Sequence, residues 1–293
     1  MKLLSDADLA QLNRLQMSAR QIVEGFLIGM HKSPYHGFSV EFADHRQYNP
    51  GESLKDVDWK IVARTGRYYV KRYEEETNLR CYILLDHSNS MFYGSSGTSK
   101  IEYAKKLAAS LAWLMIHQKD AAGLYTFHQQ ITSALEPRAF RSYTAQIFAR
   151  LVALKAEKQT DVLGSLHQIA ESIKKRSLVI LVSDLMDDPQ KILQAFKHFR
   201  NHRHELLVFH IFDPAEQELS FKHETEFVDS ESGEKITVNP WQIQAEYRSQ
   251  YADFYESLKA ASLQLEVEYN PTSTTEDVAK LLLKYLIKRR KGL

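Results

Sequence analysis

The chain alternates short, unbroken apolar runs with longer stretches in which apolar residues return every three or four positions. Cys81 to Leu85 is the first such run, and SLVILVSD, residues 177–184, is the second. Runs of this kind suit strands of a parallel sheet covered on both faces. Residues 121–127 and 205–212 add two more strands, and 131–135 an edge strand reached by a short turn. Helical spacing over 99–117, 142–154, 163–174 and 189–200 separates them, and the second half of the first helix is apolar nearly all round, so it should be sandwiched. Strands alternating with helices of this length predict an α/β fold with a doubly wound, mostly parallel sheet.

Other rhythms flank this region. Residues 7–30 read as an amphipathic helix, with Leu12, Leu15, Ile22, Val23, Phe26 and Leu27 on one face and Gly29 as terminator. FSVEF and YYVKRYEE alternate like strands, with a turn at Asn49-Pro50-Gly51 and a short helix through Trp59 and Ile61 between them. Ser53 or Asp56 is positioned to cap that helix, and Gly66 to close it. This strand-helix-strand arm is too small for its own core. The expected division is therefore 1–78, helix and arm packed on the main domain, and 79–293, the main domain. At the other end, TEFVDSESGEKITV predicts a hairpin around Ser232-Gly233, 241–262 a long helix, 263–269 a last strand, and 275–290 a terminal helix capped at Thr274 or Thr275.

Two strand ends carry the candidate chemistry. The first apolar run leads into Asp86, Ser88 and Ser90 at alternate positions; the second ends at Ser183 and Asp184, and Thr160 precedes a helix that starts on the same edge. In a parallel sheet these segments converge where such folds present their binding crevice. Carboxylates mixed with hydroxyls are the hard oxygen ligands that Mg²⁺ or Mn²⁺ requires. With few directly bound carboxylates, one coordination position should stay open for an acid from a partner.

RCYILLDHSNSM, Thr160-Asp161 and LVSD resemble the metal-ion-dependent adhesion site of von Willebrand factor A-type domains. EFADHRQYNPGESLKDVDWKIVARTGRYYVKRYEEE, followed at once by the Asp-x-Ser-x-Ser strand, resembles the bacterial family known as domain of unknown function fifty-eight. The resemblance implies a Rossmann-like von Willebrand A fold and a tendency to be encoded beside MoxR-type AAA+ ATPases, without implying a known activity. It puts Asp86, Ser88, Ser90, Thr160 and Asp184 on the five metal positions. Asp161 would act behind the ligands or cap its helix, and Ser183 would orient Asp184. Arg46, Gly51, Asp58, Trp59 and Arg64 match the arm motif, as packing residues or as a docking surface beside the metal.

Composition narrows the remaining classes. A net charge of +1 gives no global pull toward nucleic acid or membrane. Cys81 is the one cysteine, so a disulfide framework and a cysteine-based zinc site are excluded. The start MKLLSDADLAQ has acids where a signal peptide needs its apolar core, and Leu107 to Ile116 is too short to span a bilayer; a cytoplasmic protein is expected. His198 and His202, four apart, read as a solvated helix face, with His204 and His210 following, and Lys288 to Lys291 as a complement to the terminal helix dipole. The expectation is a non-enzymatic, cation-dependent protein-binding module, with a MoxR-type AAA+ ATPase or its client as the partner the resemblance suggests. The alternative is a Mg²⁺-dependent phosphatase of haloacid-dehalogenase type, with Asp86 as nucleophile and Thr160, Asp184, Asp187 and Asp188 assisting. Ser88 speaks against it, because a serine is a poor proton donor where such phosphatases carry an acid. There is no GxxxxGK loop for ATP.

Overall fold

A six-stranded sheet organises the larger part of the molecule. In the computed structural model, which describes residues 6–30, 41–48, 57–74, 79–95, 97–156, 162–221, 223–228 and 233–291, the strands are β3 (Arg80–Asp86), β4 (Ala121–Phe127), β5 (Ile131–Arg138), β6 (Leu178–Ser183), β7 (Glu205–Phe212) and β10 (Glu268–Ser273). They lie in the order β10-β7-β6-β3-β4-β5, all parallel except β5, which returns antiparallel along β4. The chain leaves β3 toward β4 and later leaves β6 toward β7, in the opposite direction. The carboxyl ends of β3 and β6 therefore flank the topological switch point.

Side-chain alternation divides β3 between two cores. Cys81, Ile83 and Leu85 point to a face covered by α1 (Asp6–Met30), α3 (Lys100–His117), α4 (Tyr143–Val152) and α9 (Val278–Lys291). Tyr82 and Leu84 point to the other, covered by α5 (Val162–Ser172), α6 (Pro189–Asn201) and α8 (Pro240–Gln264). The doubly wound architecture expected from the pattern is the one observed. Helix α3 is buried along nearly its whole length because α1 lies over it, bringing Leu15, Ala19 and Val23 into the core. Helix α1 thus groups with residues 79–293, and residues 31–78 form a unit of their own, a division different from the expected one at 78.

That smaller unit pairs β1 (Glu41–Gln47) with β2 (Tyr69–Glu74) antiparallel, Arg46 opposite Val70, and holds α2 (Trp59–Thr65) between them in sequence. The α2 cap is Asp58, whose Oδ1 accepts the Lys60 and Ile61 amides at 3.0 and 3.4 Å, rather than Ser53 or Asp56, which lie outside the described residues. Gly66 closes the helix as expected, at φ +70°, its amide donating to the Val62 carbonyl at 2.8 Å.

Elsewhere three boundaries move. Helix α8 runs on to Gln264 and the last strand starts only at Glu268, so the alternation of LQLEVEY overlaps a helix end. The cap of α9 is Asp277, which accepts the Lys280 amide at 3.0 Å, in place of Thr274 or Thr275. A single-turn helix, α7 (Pro214–Glu218), precedes the hairpin β8 (Thr225–Val228) and β9 (Lys235–Val238), which pairs antiparallel as expected.

Both edge strands contain a proline, Pro137 in β5 and Pro271 in β10. Pro137 sits where the β4–β5 register shifts, and there Gly123 is required. A Cβ on Gly123 would lie 2.4 Å from the Leu135 carbonyl oxygen and 2.7 Å from the Pro137 nitrogen, both backbone atoms. Gly123→Ala should therefore pry β5 from β4 and cost about 2 kcal/mol in urea unfolding. A loss of only a few tenths would mean that the edge strand shifts without penalty.

Candidate functional site

Strands β3 and β6 end at the switch point, where α3 begins, and the three bring their polar residues together. Asp86, the last residue of β3, is fully buried. Its Oδ1 accepts the Ser88 amide at 2.8 Å and its Oδ2 the Ser183 hydroxyl at 2.6 Å. Ser183 therefore orients Asp86, not Asp184, while its oxygen accepts the Leu185 amide at 3.0 Å. The Ser88 and Ser90 hydroxyls lie 3.0 Å apart, because a 3-10 turn over Asn89–Phe92 curls the chain back. Burial, and then the charge of Asp184, push the Asp86 carboxyl up to about 7 despite the hydrogen bonds from Ser183 and Ser88.

Lys100, which the apolar pattern does not single out, completes the cluster. It is the first residue of α3, after the capping Ser99, and is fully buried. Its Nζ donates to Asp184 Oδ2 at 2.8 Å and to Glu216 Oε1 at 2.6 Å. Burial works against its charge, but Asp184 and Glu216 outweigh burial and raise its pKa above the ordinary lysine value. The signal was present in the sequence: a cation at the positive end of a helix, ahead of an apolar stretch, is unfavourable unless acids are brought to it.

Glu216 belongs to α7, which is fastened by Asp213. That carboxylate accepts the Ser95 amide and hydroxyl at 2.9 and 2.5 Å and the Ala215 amide at 2.9 Å, and Glu216 closes a capping box on the Asp213 amide. Beneath, His210 is buried with Nδ1 2.5 Å from the Tyr269 hydroxyl and Nε2 3.3 Å from that of Tyr255. Burial lowers its pKa to about 4, so it is neutral above mildly acidic pH.

The donors brought together are all oxygens: Asp86, Ser88, Ser90 and Asp184. Among the described residues no group of three or more His, Cys, Asp or Glu is placed to hold a metal, and the cluster is instead rich in hydroxyls. Two buried carboxylates, close enough for one to raise the other's pKa, are the arrangement a hard divalent cation relieves, so the donor set fits Mg²⁺ or Mn²⁺. Thr160 and Asp161 lie outside the described residues.

A groove of about 660 Å³ opens beside the cluster. Ser90 and Glu216 are among its lining residues, and Tyr93, Met186, Phe227 and Tyr247 contribute apolar wall. In the arm, Trp59 is 56% exposed and meets the Tyr68 ring edge-on at 6.4 Å, Arg64 is exposed on α2, and Gly51 lies outside the described residues. His198 is not simply solvated: its Nδ1 lies 2.7 Å from that of His167 on α5, and burial and then His167 lower its pKa. Asp188 caps α6 by accepting the Gln190 amide at 2.8 Å, and Asp187 accepts the Asp188 amide at 2.7 Å. The backbone of α9 carries the basic end through Lys291.

The family model described as "Protein of unknown function DUF58" matches residues 44–260. An uncharacterized protein of Mycobacterium tuberculosis, Rv1480, is 24% identical over 79% of this chain and 74% of its own. Among solved structures, BatB of Bacteroides thetaiotaomicron aligns over 73% of this chain and 99% of its own at 14% identity, with a TM-score of 0.45. The SpRpn10 VWA domain aligns over 71% of this chain and 95% of its own at 14% identity and a TM-score of 0.41. No helix among the described residues is long and apolar enough to cross a membrane.

Proposed function

The chain belongs to the DUF58 family, and from that premise we propose that it is a non-enzymatic module that binds a partner protein through a divalent cation. Asp86, Ser88, Ser90 and Asp184, with Thr160, would hold Mg²⁺ or Mn²⁺ at the switch point. The ion, when bound, supplies an open position for a carboxylate oxygen of the partner. Asp86 and Asp184 provide the negative charge, the paired hydroxyls of Ser88 and Ser90 provide neutral donors, and Ser183 holds Asp86 in place. The groove that Ser90 helps to line would receive the partner's apolar side chains next to that acid. The resemblance suggests a MoxR-type AAA+ ATPase or its client as the partner, in the cytoplasm.

The observation that supports this reading is the pair of buried carboxylates, Asp86 and Asp184, beside the Ser88 and Ser90 hydroxyls at one crevice, with only one of the two carboxylates neutralised by a lysine. The phosphatase alternative is weakened because Asp187 and Asp188 are engaged at the start of α6, and Ser88 lies where an acid is needed. The test is calorimetric titration of the purified protein with Mg²⁺ and with Mn²⁺, beside the exposed-acid control Asp253→Ala. Saturable binding to one site in both proteins is expected. Absence of heat, together with an unchanged melting temperature in excess of either ion, would overturn the reading.

A further inference from the structure

We propose that Lys100 is a second, permanent cation of this centre and determines which ligand it accepts: it weakens the hold on the metal ion but keeps the loaded centre receptive to a carboxylate. This rests on the cation-dependent reading above and goes beyond it, since none of the five metal positions includes a lysine.

Placement is the first argument. Lys100 occupies the first turn of an 18-residue helix, where the helix dipole disfavours a positive charge, and it is shut off from water. A side chain so placed is sustained by its two acids, and one of them, Asp184, is a metal ligand in the reading above. Its ammonium, 2.8 Å from Asp184 Oδ2, already neutralises part of the charge the ion would use. Glu216, 2.6 Å from the same nitrogen, shares Lys100 and lines the groove through which a partner would arrive.

Charge is the second. Asp86, Asp184 and Glu216, ionised, contribute three negative charges and Lys100 one positive. A divalent ion brings this set to zero. Without Lys100 the loaded set would carry one net negative charge and would repel the carboxylate it is meant to capture. Lysine thus exchanges metal affinity for ligand affinity, and the two quantities should move in opposite directions when it is changed.

The experiment uses Mn²⁺ as the metal and propionate as a stand-in for an acidic side chain. Mn²⁺ affinity is measured by calorimetry, and propionate binding to the Mn²⁺-loaded protein by the fall in water-proton relaxation as metal-bound water is displaced. In Lys100→Met, Mn²⁺ should bind about tenfold more tightly and propionate about tenfold more weakly, the scale of one unit charge across a partly screened site. In Glu216→Gln, which removes a negative charge and leaves Lys100 to Asp184, both shifts should reverse. Should Lys100→Met fail to fold, as judged by circular dichroism, the reversed shifts in Glu216→Gln still decide. Loss of both affinities in Lys100→Met would overturn the proposal, because it would make Lys100 only a support for Asp184. Mn²⁺ binding with unchanged affinities in both variants would overturn it while leaving the cation-dependent reading intact. Failure of the wild type and both variants to bind Mn²⁺ would remove that reading and the proposal together.

Discussion

Asp86→Asn is expected to reduce Mg²⁺ and Mn²⁺ binding at least a hundredfold and, at the same time, to make the metal-free protein more stable at pH 8. The first effect follows from removing the charged ligand at the end of β3. The second follows from linkage. Burial and Asp184 raise the Asp86 pKa to about 7, so the folded protein holds a proton that the unfolded chain has lost. Stability therefore falls as pH rises from about 4 to about 7, and the whole penalty is present above that window. Asparagine carries no charge and escapes it. A shift of this size corresponds to about 4 kcal/mol, and the weaker hydrogen bonds of the amide to Ser88 and Ser183 should return part of it, leaving a gain on the order of 2 kcal/mol.

Urea unfolding at pH 5 and pH 8 measures this directly. The gap between wild type and variant should widen with pH, and saturating Mg²⁺ should close it by stabilising the wild type alone. A variant that is less stable than wild type by the same amount at both pH values would show that Asp86 acts only as a hydrogen-bond acceptor.

Asp213→Ala should act in the opposite sense, costing about 3 kcal/mol. One carboxylate accepts the Ser95 amide, the Ser95 hydroxyl and the Ala215 amide, and each donor left unmet costs about 1 kcal/mol. Burial works against the Asp213 charge, yet these bonds and the nearby Lys100 hold its pKa below the ordinary carboxylate value. Its contribution is thus present above that ordinary value and is lost as pH falls below it, so the wild-type advantage should shrink in acid. Because α7 carries Glu216, the variant should also loosen the outer partner of Lys100. Urea midpoints at pH 7 and pH 3.5 check both statements; a loss under 1 kcal/mol at pH 7 would mean that water takes over all three bonds.

The central strands were readable because burial on both faces keeps them almost wholly apolar, with Thr126 in β4 and His210 in β7 as buried exceptions: β4 and β7 have the limits their apolar runs suggested. The convergence of Asp86, Ser88, Ser90 and Asp184 was readable for the same reason, since a parallel sheet puts strand exits on one edge. Lys100 left only a local hint, a cation at a helix start, and its role was not readable because its partners come from residues 84 and 116 positions away in the chain. Helix α7 had a local signature, Asp213-Pro214-Ala215-Glu216, a capping box with proline at the first helical position, but one turn carries no apolar period to draw attention. Strand β10 was placed too early because Leu263 and Leu265 alternate like strand residues, whereas Leu263 is 79% exposed on the end of α8. Pro271 hid its true extent, since proline argues against a strand except at an edge, which is where β10 lies.

The two edge prolines have a consequence for how copies of this protein meet one another in a crowded solution. A sheet with bare margins invites another sheet to zip onto it, and a missing amide donor on each outer strand spoils that template. Pro137, seated in a kinked stretch of β5, and Pro271 in β10 thus act as end stops on the six-stranded ribbon, discouraging lateral growth into larger aggregates.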